Sequence, residues 1–172
     1  MFSNLKHSLI KKRFNKSLLN FIADKSISQK EILTVGILTT DEISSQFDLQ
    51  KEIEATLNVR NVKLYSYRKY DKLDEVSFKH FSEKDINWKG NFTHQSLLGF
   101  LEQPFDLLIG YFDTNNLYLE NAVLQSKSLF KTGFANVNPQ LYDIEIVEDV
   151  EHLSQFSTEL KKYLQILKKL KN

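Results

Sequence analysis

Asp41 and Asp113 each stand close behind a short apolar run, Ile32–Leu38 and Leu107–Phe112. If those runs are neighbouring strands, the two carboxylates share one sheet edge, where such a pair could hold Mg²⁺ or act as acid and base. The plainer roles are favoured: Asp41 capping the helix that follows, Asp113 opening an Asx-type turn. Asn115 and Trp88 join them as the candidate ligand edge. His7, His80, His94 and His152 are scattered and show neither H-E-x-x-H nor H-x-x-E-H spacing, so no metal site is expected. Ser44, Ser45 and Ser126 lack the G-x-S-x-G turn of a nucleophile elbow. There is no cysteine, which excludes disulfides, thiolate metal sites and cysteine nucleophiles. Neither G-x-G-x-x-G nor a Walker-type loop occurs, and the steric role of those glycines is one few other residues can fill. No catalytic residue and no cofactor is assigned, and the balance leans away from an enzyme.

The charge pattern is more informative than the net charge of +1. Residues 1–30 carry Lys6, Lys11, Lys12, Arg13, Lys16, Lys25 and Lys30 against Asp24 alone, and Lys161, Lys162, Lys168, Lys169 and Lys171 close the chain against Glu159. Both ends are basic and the body between them is acidic. Two basic helices lying against an acidic domain would satisfy this, as would termini that face a polyanion. Solubilising lysines are usually interspersed with acids at i, i+4, and residues 1–22 hold no acid at all.

The stretch from Phe78 to Gly90 holds the only tryptophan, Trp88, with Phe81, His80, Lys79, Lys84 and Lys89. Trp88 or Phe81 could stack on a base while the lysines meet phosphate. Aromatics that plug the open edge of a sheet are the favoured reading.

These residues need a scaffold. The chain has 172 residues, 41% hydrophobic, with five glycines and two prolines, which suits one ordinary domain. Leu5, Leu9, Ile10, Phe14, Leu18, Phe21 and Ile22 recur at helical spacing. Ile32–Leu38 and Leu107–Phe112 are apolar on both faces and predict adjacent central parallel strands. Further strands are expected at Val62–Tyr67, Leu129–Phe134 and Ile144–Val147, with helices through Ile43–Leu57, from Thr93 as cap to Leu101, from Asn116, and over 150–170. The alternation predicts a single three-layer, Rossmann-like α/β domain over residues 31–172 with a mainly parallel sheet. Residues 1–30 read as a basic amphipathic N-terminal helical arm, and a long helix closes the chain. No apolar run reaches a membrane-spanning length, and Lys11-Lys12-Arg13 interrupts any signal-peptide core, so a cytoplasmic location is expected.

Three segments carry a resemblance: Phe81-Ser82-Glu83-Lys84-Asp85-Ile86-Asn87-Trp88, Pro104-Phe105-Asp106-Leu107-Leu108-Ile109 and Ser126–Phe134. With them the chain resembles, over most of its length, an uncharacterised family of short Bacteroidota proteins. That resemblance implies a cytoplasmic protein and no known activity or site residues. More distantly, Phe105–Ile109, a helix, and Lys131-Thr132-Gly133-Phe134 are similar to a half-domain of heptosyltransferase-like glycosyltransferases. The sugar-nucleotide-binding half has no counterpart, so that echo implies fold class only.

The function expected from the residues is a non-catalytic binding module. Lys11, Lys12, Arg13 and Lys16, with Lys161, Lys162, Lys168 and Lys169, would contact RNA or a ribonucleoprotein while Leu5, Leu9 and Leu18 dock on the domain. No DNA-binding motif is present. An anionic lipid surface would use the same charges but needs the leucines free. The alternatives are a small enzyme or nucleotide-sugar-binding protein built on Asp41, Asp113 and Asn115, and a homodimeric structural or adaptor protein.

Overall fold

The computed structural model describes residues 2–74 and 79–171. Six strands form one sheet: β1 (Thr34–Thr40), β2 (Asn61–Tyr67), β3 (His80–Phe81), β4 (Leu107–Tyr111), β5 (Lys131–Phe134) and β6 (Ile144–Ile146). They lie in the order β3-β2-β1-β4-β5-β6 and every pairing is parallel. This is a Rossmann-like order, with β1 and β4 central as expected and the direction of winding reversing between them.

Strand alternation sends successive side chains to opposite layers. Gly36, Leu38, Leu108 and Phe112 face the layer made by α1 (Phe2–Ala23), α4 (Gln95–Glu102) and α5 (Leu117–Gln125). Val35, Ile37, Leu107, Ile109 and Tyr111 face α3 (Leu49–Leu57) and α6 (Leu153–Ile166). α1 packs on the sheet layer: Ile10, Phe14 and Leu18, one stripe at i, i+4, i+8, are buried in the first core. The other end of the chain is also fastened. Past α6, Lys169 is buried, its ammonium donating to the carbonyls of Ser28 and Lys30 and lying 4.4 Å from the centre of the Phe130 ring.

Several local expectations change. The helix expected through Ile43–Leu57 breaks at Phe47 into α2 (Asp41–Gln46) and α3, because Asp48 caps a new start by accepting from the Lys51 N–H. Asp41 is not the cap of α2. Thr40 is, its hydroxyl accepting from Ile43 N–H at 3.1 Å. His94, not Thr93, caps α4, its ring nitrogen accepting from Leu97 N–H. The long connection after β2 is not plain loop, since it supplies the edge strand β3 and a 3₁₀ turn at Glu83–Asp85. Within it Phe81 is buried, as an edge-plugging aromatic should be, while Trp88 is 42% exposed; Phe78 lies outside the described residues.

On α1 the docking residues differ from those expected. Leu18 is buried, but Leu5 is 54% exposed, Leu9 38% and Leu19 69%. The helix buries only the stripe through Ile10, Phe14 and Leu18, and residues 5, 9, 12, 16 and 19 fall on its opposite side.

Candidate functional site

An open parallel sheet offers ligands the crevice beyond the carboxyl ends of its strands, at the reversal of winding. Here that place lies beyond Thr40 and Tyr111. Tyr67, the last residue of β2, stacks on Tyr118 of α5 with ring centres 5.8 Å apart and planes 5° from parallel. His7 of α1 meets Tyr118 edge-on at 6.2 Å. The Tyr67 hydroxyl donates to Glu83 Oε2 at 3.1 Å, and burial together with the Glu83 charge pushes its pKa well above the ordinary tyrosine value. Side chains of the protein's own layers thus stand across the end of β1.

Asp41 turns toward β2 and β3. Its Oδ2 accepts from Arg68 Nε at 2.9 Å, and His80 Nε2 lies 3.6 Å from Oδ1. His80 Nδ1 in turn bonds the Ser66 hydroxyl. A serine, a histidine and an aspartate in a chain suggest nucleophilic catalysis, but Ser66, one residue before the end of β2, is wholly buried, paired with Thr39 on one side and His80 on the other. No substrate carbonyl can reach it, so the chain is a tie across the sheet edge. Burial lowers the His80 pKa below the ordinary histidine value, helped by the Arg68 charge and opposed by Asp41, which keeps the ring neutral near pH 7. The adjoining cavity, between Arg68, Asp74, His80 and Lys84, is about 180 Å³. That is small beside the roughly 300 Å³ or more of typical ligand sites.

Asp113 follows β4 and is half-buried. Its backbone carbonyl accepts from Asn136 Nδ2 at 3.0 Å. Asn116 begins α5 as expected, its side chain accepting from Tyr118 and Leu119 N–H while Glu120 returns to Asn116 N–H at 3.0 Å. Asn115 is exposed. Among the described residues one group has metal-ligand geometry: half-buried Glu148 with exposed Asp149 and His152, ahead of α6. Hydrogen bonding to Glu148 raises the His152 pKa.

The two basic clusters separate. Lys11, Lys12, Arg13 and Lys16 are exposed on α1, and among the described residues none makes an ion pair. Lys161, Lys162 and Lys168 belong to α6 and its end, in the layer on the opposite side of the sheet. Lys162 pairs with Glu159 at 3.6 Å. Lys169, grouped with them in the sequence, points inward and has no surface to offer. Two groups had no motif to reveal them: the Arg68–Asp41–His80 tie, and the buried Lys131 with Lys25 and Asp143 below α1. Arg68 and Lys131 read as ordinary loop and strand residues, and only the packing of separate segments joins them to partners.

The chain belongs to a family of unknown function, DUF6913, whose model matches residues 6–167, from α1 to the end of α6. No curated protein and no solved structure matches it.

Proposed function

We propose that this family member is a binding module that docks on an anionic lipid surface through the outward side of α1. The carrying observation is what the leucines do: Leu5, Leu9 and Leu19 stand out from the domain with Lys12 and Lys16 between them. Phe2, 73% exposed, extends the patch toward the helix start. A helix lying in the lipid interface buries such apolar groups among the acyl chains, while lysines on flexible stems reach the headgroups. Each basic residue near an anionic bilayer contributes about 1 kcal/mol. RNA would use the lysines and leave the leucines in water. Single-stranded RNA also favours aromatic platforms, and the outward side of α1 has only Phe2 at its tip. Among the described residues no helix is long and apolar enough to cross a membrane, so the proposed attachment is peripheral.

Co-sedimentation with phosphatidylcholine vesicles, with and without phosphatidylserine, tests the reading. Binding should require phosphatidylserine and weaken with salt. It should fall both in a Lys11→Gln/Lys12→Gln/Lys16→Gln variant and in a Leu5→Ser/Leu9→Ser/Leu19→Ser variant. RNA retention that survives the serine changes, with no vesicle binding, would return the basic helix to RNA or a ribonucleoprotein. A dimer by light scattering that the serine changes dissolve would make the patch a homodimer interface instead.

A further inference from the structure

Below its outward side, α1 forms one wall of a cleft of about 700 Å³. The Lys89–Asn91 turn and the end of α5 form the others. The volume is that of a small-molecule site. Four cations line it, Arg13, Lys25, Lys89 and Lys131, against the carboxylates Asp24 and Asp143.

Two of the cations are already committed. The Lys131 ammonium donates to the carbonyls of Val123 at 2.7 Å and Leu124 at 3.3 Å, closing the end of α5. Lys25 Nζ donates to Tyr142 O at 2.6 Å and lies 3.7 Å from Asp143 Oδ1. Asp143 Oδ2 accepts from Lys131 N–H at 2.8 Å. Arg13 and Lys89 are exposed and make no ion pair among the described residues. Both line the cleft, and Gly90, the residue after Lys89, packs on Arg13: a Cβ there would lie 3.8 Å from Cβ and Cδ of Arg13. Gly90 has φ of +80°, a conformation glycine takes without strain, and Gln125 Nε2 fixes the turn by donating to its carbonyl at 2.9 Å.

We propose that this cleft binds a small phosphorylated sugar, its phosphate between Arg13 and Lys89 and its hydroxyls along the side chains of Ser17, Asn20, Asn91 and Ser128. Among the described residues, Arg13 and Lys89, neither in an ion pair, outnumber Asp24, the one lining carboxylate that no ion pair engages, so the cleft favours an anion, and the arginine fork matches phosphate oxygens. Neutral hydroxyl and amide groups that both donate and accept suit a polyol. Inorganic phosphate would occupy the rim and leave the rest of the cleft to water. The proposal shares Arg13, Ser17 and Asn20 with the lipid-docking helix, and Lys89, on a separate segment, distinguishes the two.

Titration of the ¹⁵N-labelled full chain with ribose 5-phosphate, ribose and inorganic phosphate tests it by NMR. Ribose 5-phosphate at ~10 mM, enough to fill a site of Kd ~1 mM, should shift the amides of Ser17, Lys89, Gly90 and Asn91. It should bind at least tenfold more tightly than either fragment. Lys89→Gln, a change on an exposed turn, should weaken binding at least tenfold without changing vesicle binding, whereas Lys162→Gln should alter neither. Unchanged affinity in Lys89→Gln, shifts spread over the lysine-rich surface, or inorganic phosphate binding equally well would each overturn the proposal.

Discussion

Lys30 Nζ lies 2.8 Å from Oδ1 of Asp106, a carboxylate almost wholly removed from solvent. Oδ2 of the same group accepts from the N–H groups of Leu33 and Thr34, each at 2.9 Å, and from the Thr34 hydroxyl at 3.1 Å. One side chain at the foot of β4 thereby fixes the entry into β1, and so the register of the two central strands. Burial pushes the Asp106 pKa upward, but Lys30 and the three donors together outweigh it and hold it below the usual carboxylate range.

A pH-dependent loss follows for Asp106→Asn. The folded pKa is depressed, so the stabilisation is complete above the unfolded value of roughly 3.9 and disappears as pH falls through the folded one. The variant should be about 2–3 kcal/mol less stable at pH 7. Urea denaturation should show the gap closing below about pH 4; a gap constant down to pH 3 would mean the charge is irrelevant.

The Tyr142 ring lies flat against two neighbouring strands at positions where any side chain would collide with it. A Cβ on Gly110 would fall 2.4 Å from the Tyr142 hydroxyl oxygen, and one on Gly133 2.2 Å from Cζ. Each glycine-to-alanine change should cost about 1–3 kcal/mol by overpacking. The hydroxyl is buried and has no partner among the described residues, so Tyr142→Phe should be neutral or stabilising. A double-mutant cycle should then show Tyr142→Phe relieving more of the Gly110→Ala cost than of the Gly133→Ala cost, because Cζ and Cε2 still crowd a side chain at Gly133. Equal relief at both positions would show that the ring itself shifts.

Lys131 should make stability rise through mild alkali. Burial lowers its pKa from 10.5 to about 8, against the pull of Asp143. Between those values the unfolded chain holds a proton that the folded chain has released, so folding gains as pH increases. Relative to Lys131→Met, the wild type should gain about 2–3 kcal/mol between pH 7.5 and 10. Parallel curves for the two proteins would place the ammonium in a wetter site than its hydrogen bonds indicate.

The two sides of α1 should respond differently to truncation. Phe14→Ala removes a ring from the core and should cost about 3–5 kcal/mol. Leu5→Ala, on the outward side, should stay within about 0.5 kcal/mol. Chemical denaturation of both variants checks this. Comparable losses would mean that Leu5 is also part of the fold and is not held out for a partner.

The tie at the sheet edge should be modest. Arg68 and Asp41 are both about a third exposed, so Asp41→Ala should cost no more than about 1 kcal/mol. Thermal-shift screening against nucleotide sugars and divalent ions should give no rise that Asp41→Ala or Asp113→Ala abolishes. A rise that either variant removes would restore the ligand-edge enzyme as the working reading.

Much of the architecture was legible in the chain itself. Ile32–Leu38 and Leu107–Phe112 are apolar at consecutive positions, and only a strand covered on both faces buries such a run, which placed β1 and β4 at the centre of a parallel sheet. Asn116 announced α5 because its side chain can satisfy the free N–H groups of a helix start. β3 was not legible: two residues carry no periodicity, and His80 and Phe81 become a strand only because β2 offers an unpaired edge. The charges were legible as counts and not as surfaces. Lys161, Lys162, Lys168 and Lys169 resemble one another in sequence, yet the chain's turn after α6 buries Lys169 on Phe130 and leaves Lys168 in water. The basic ends look like one polyanion surface along the chain, but α1 and α6 pack on opposite faces of the sheet. Which leucines of α1 dock could not be read from spacing either. Ile10, Phe14 and Leu18 share one stripe and Leu5, Leu9 and Leu19 fall on another, each regular enough to be a core face. A helix can press only one side against a sheet, and the surface already formed by α5 and the sheet selected the stripe it could bury.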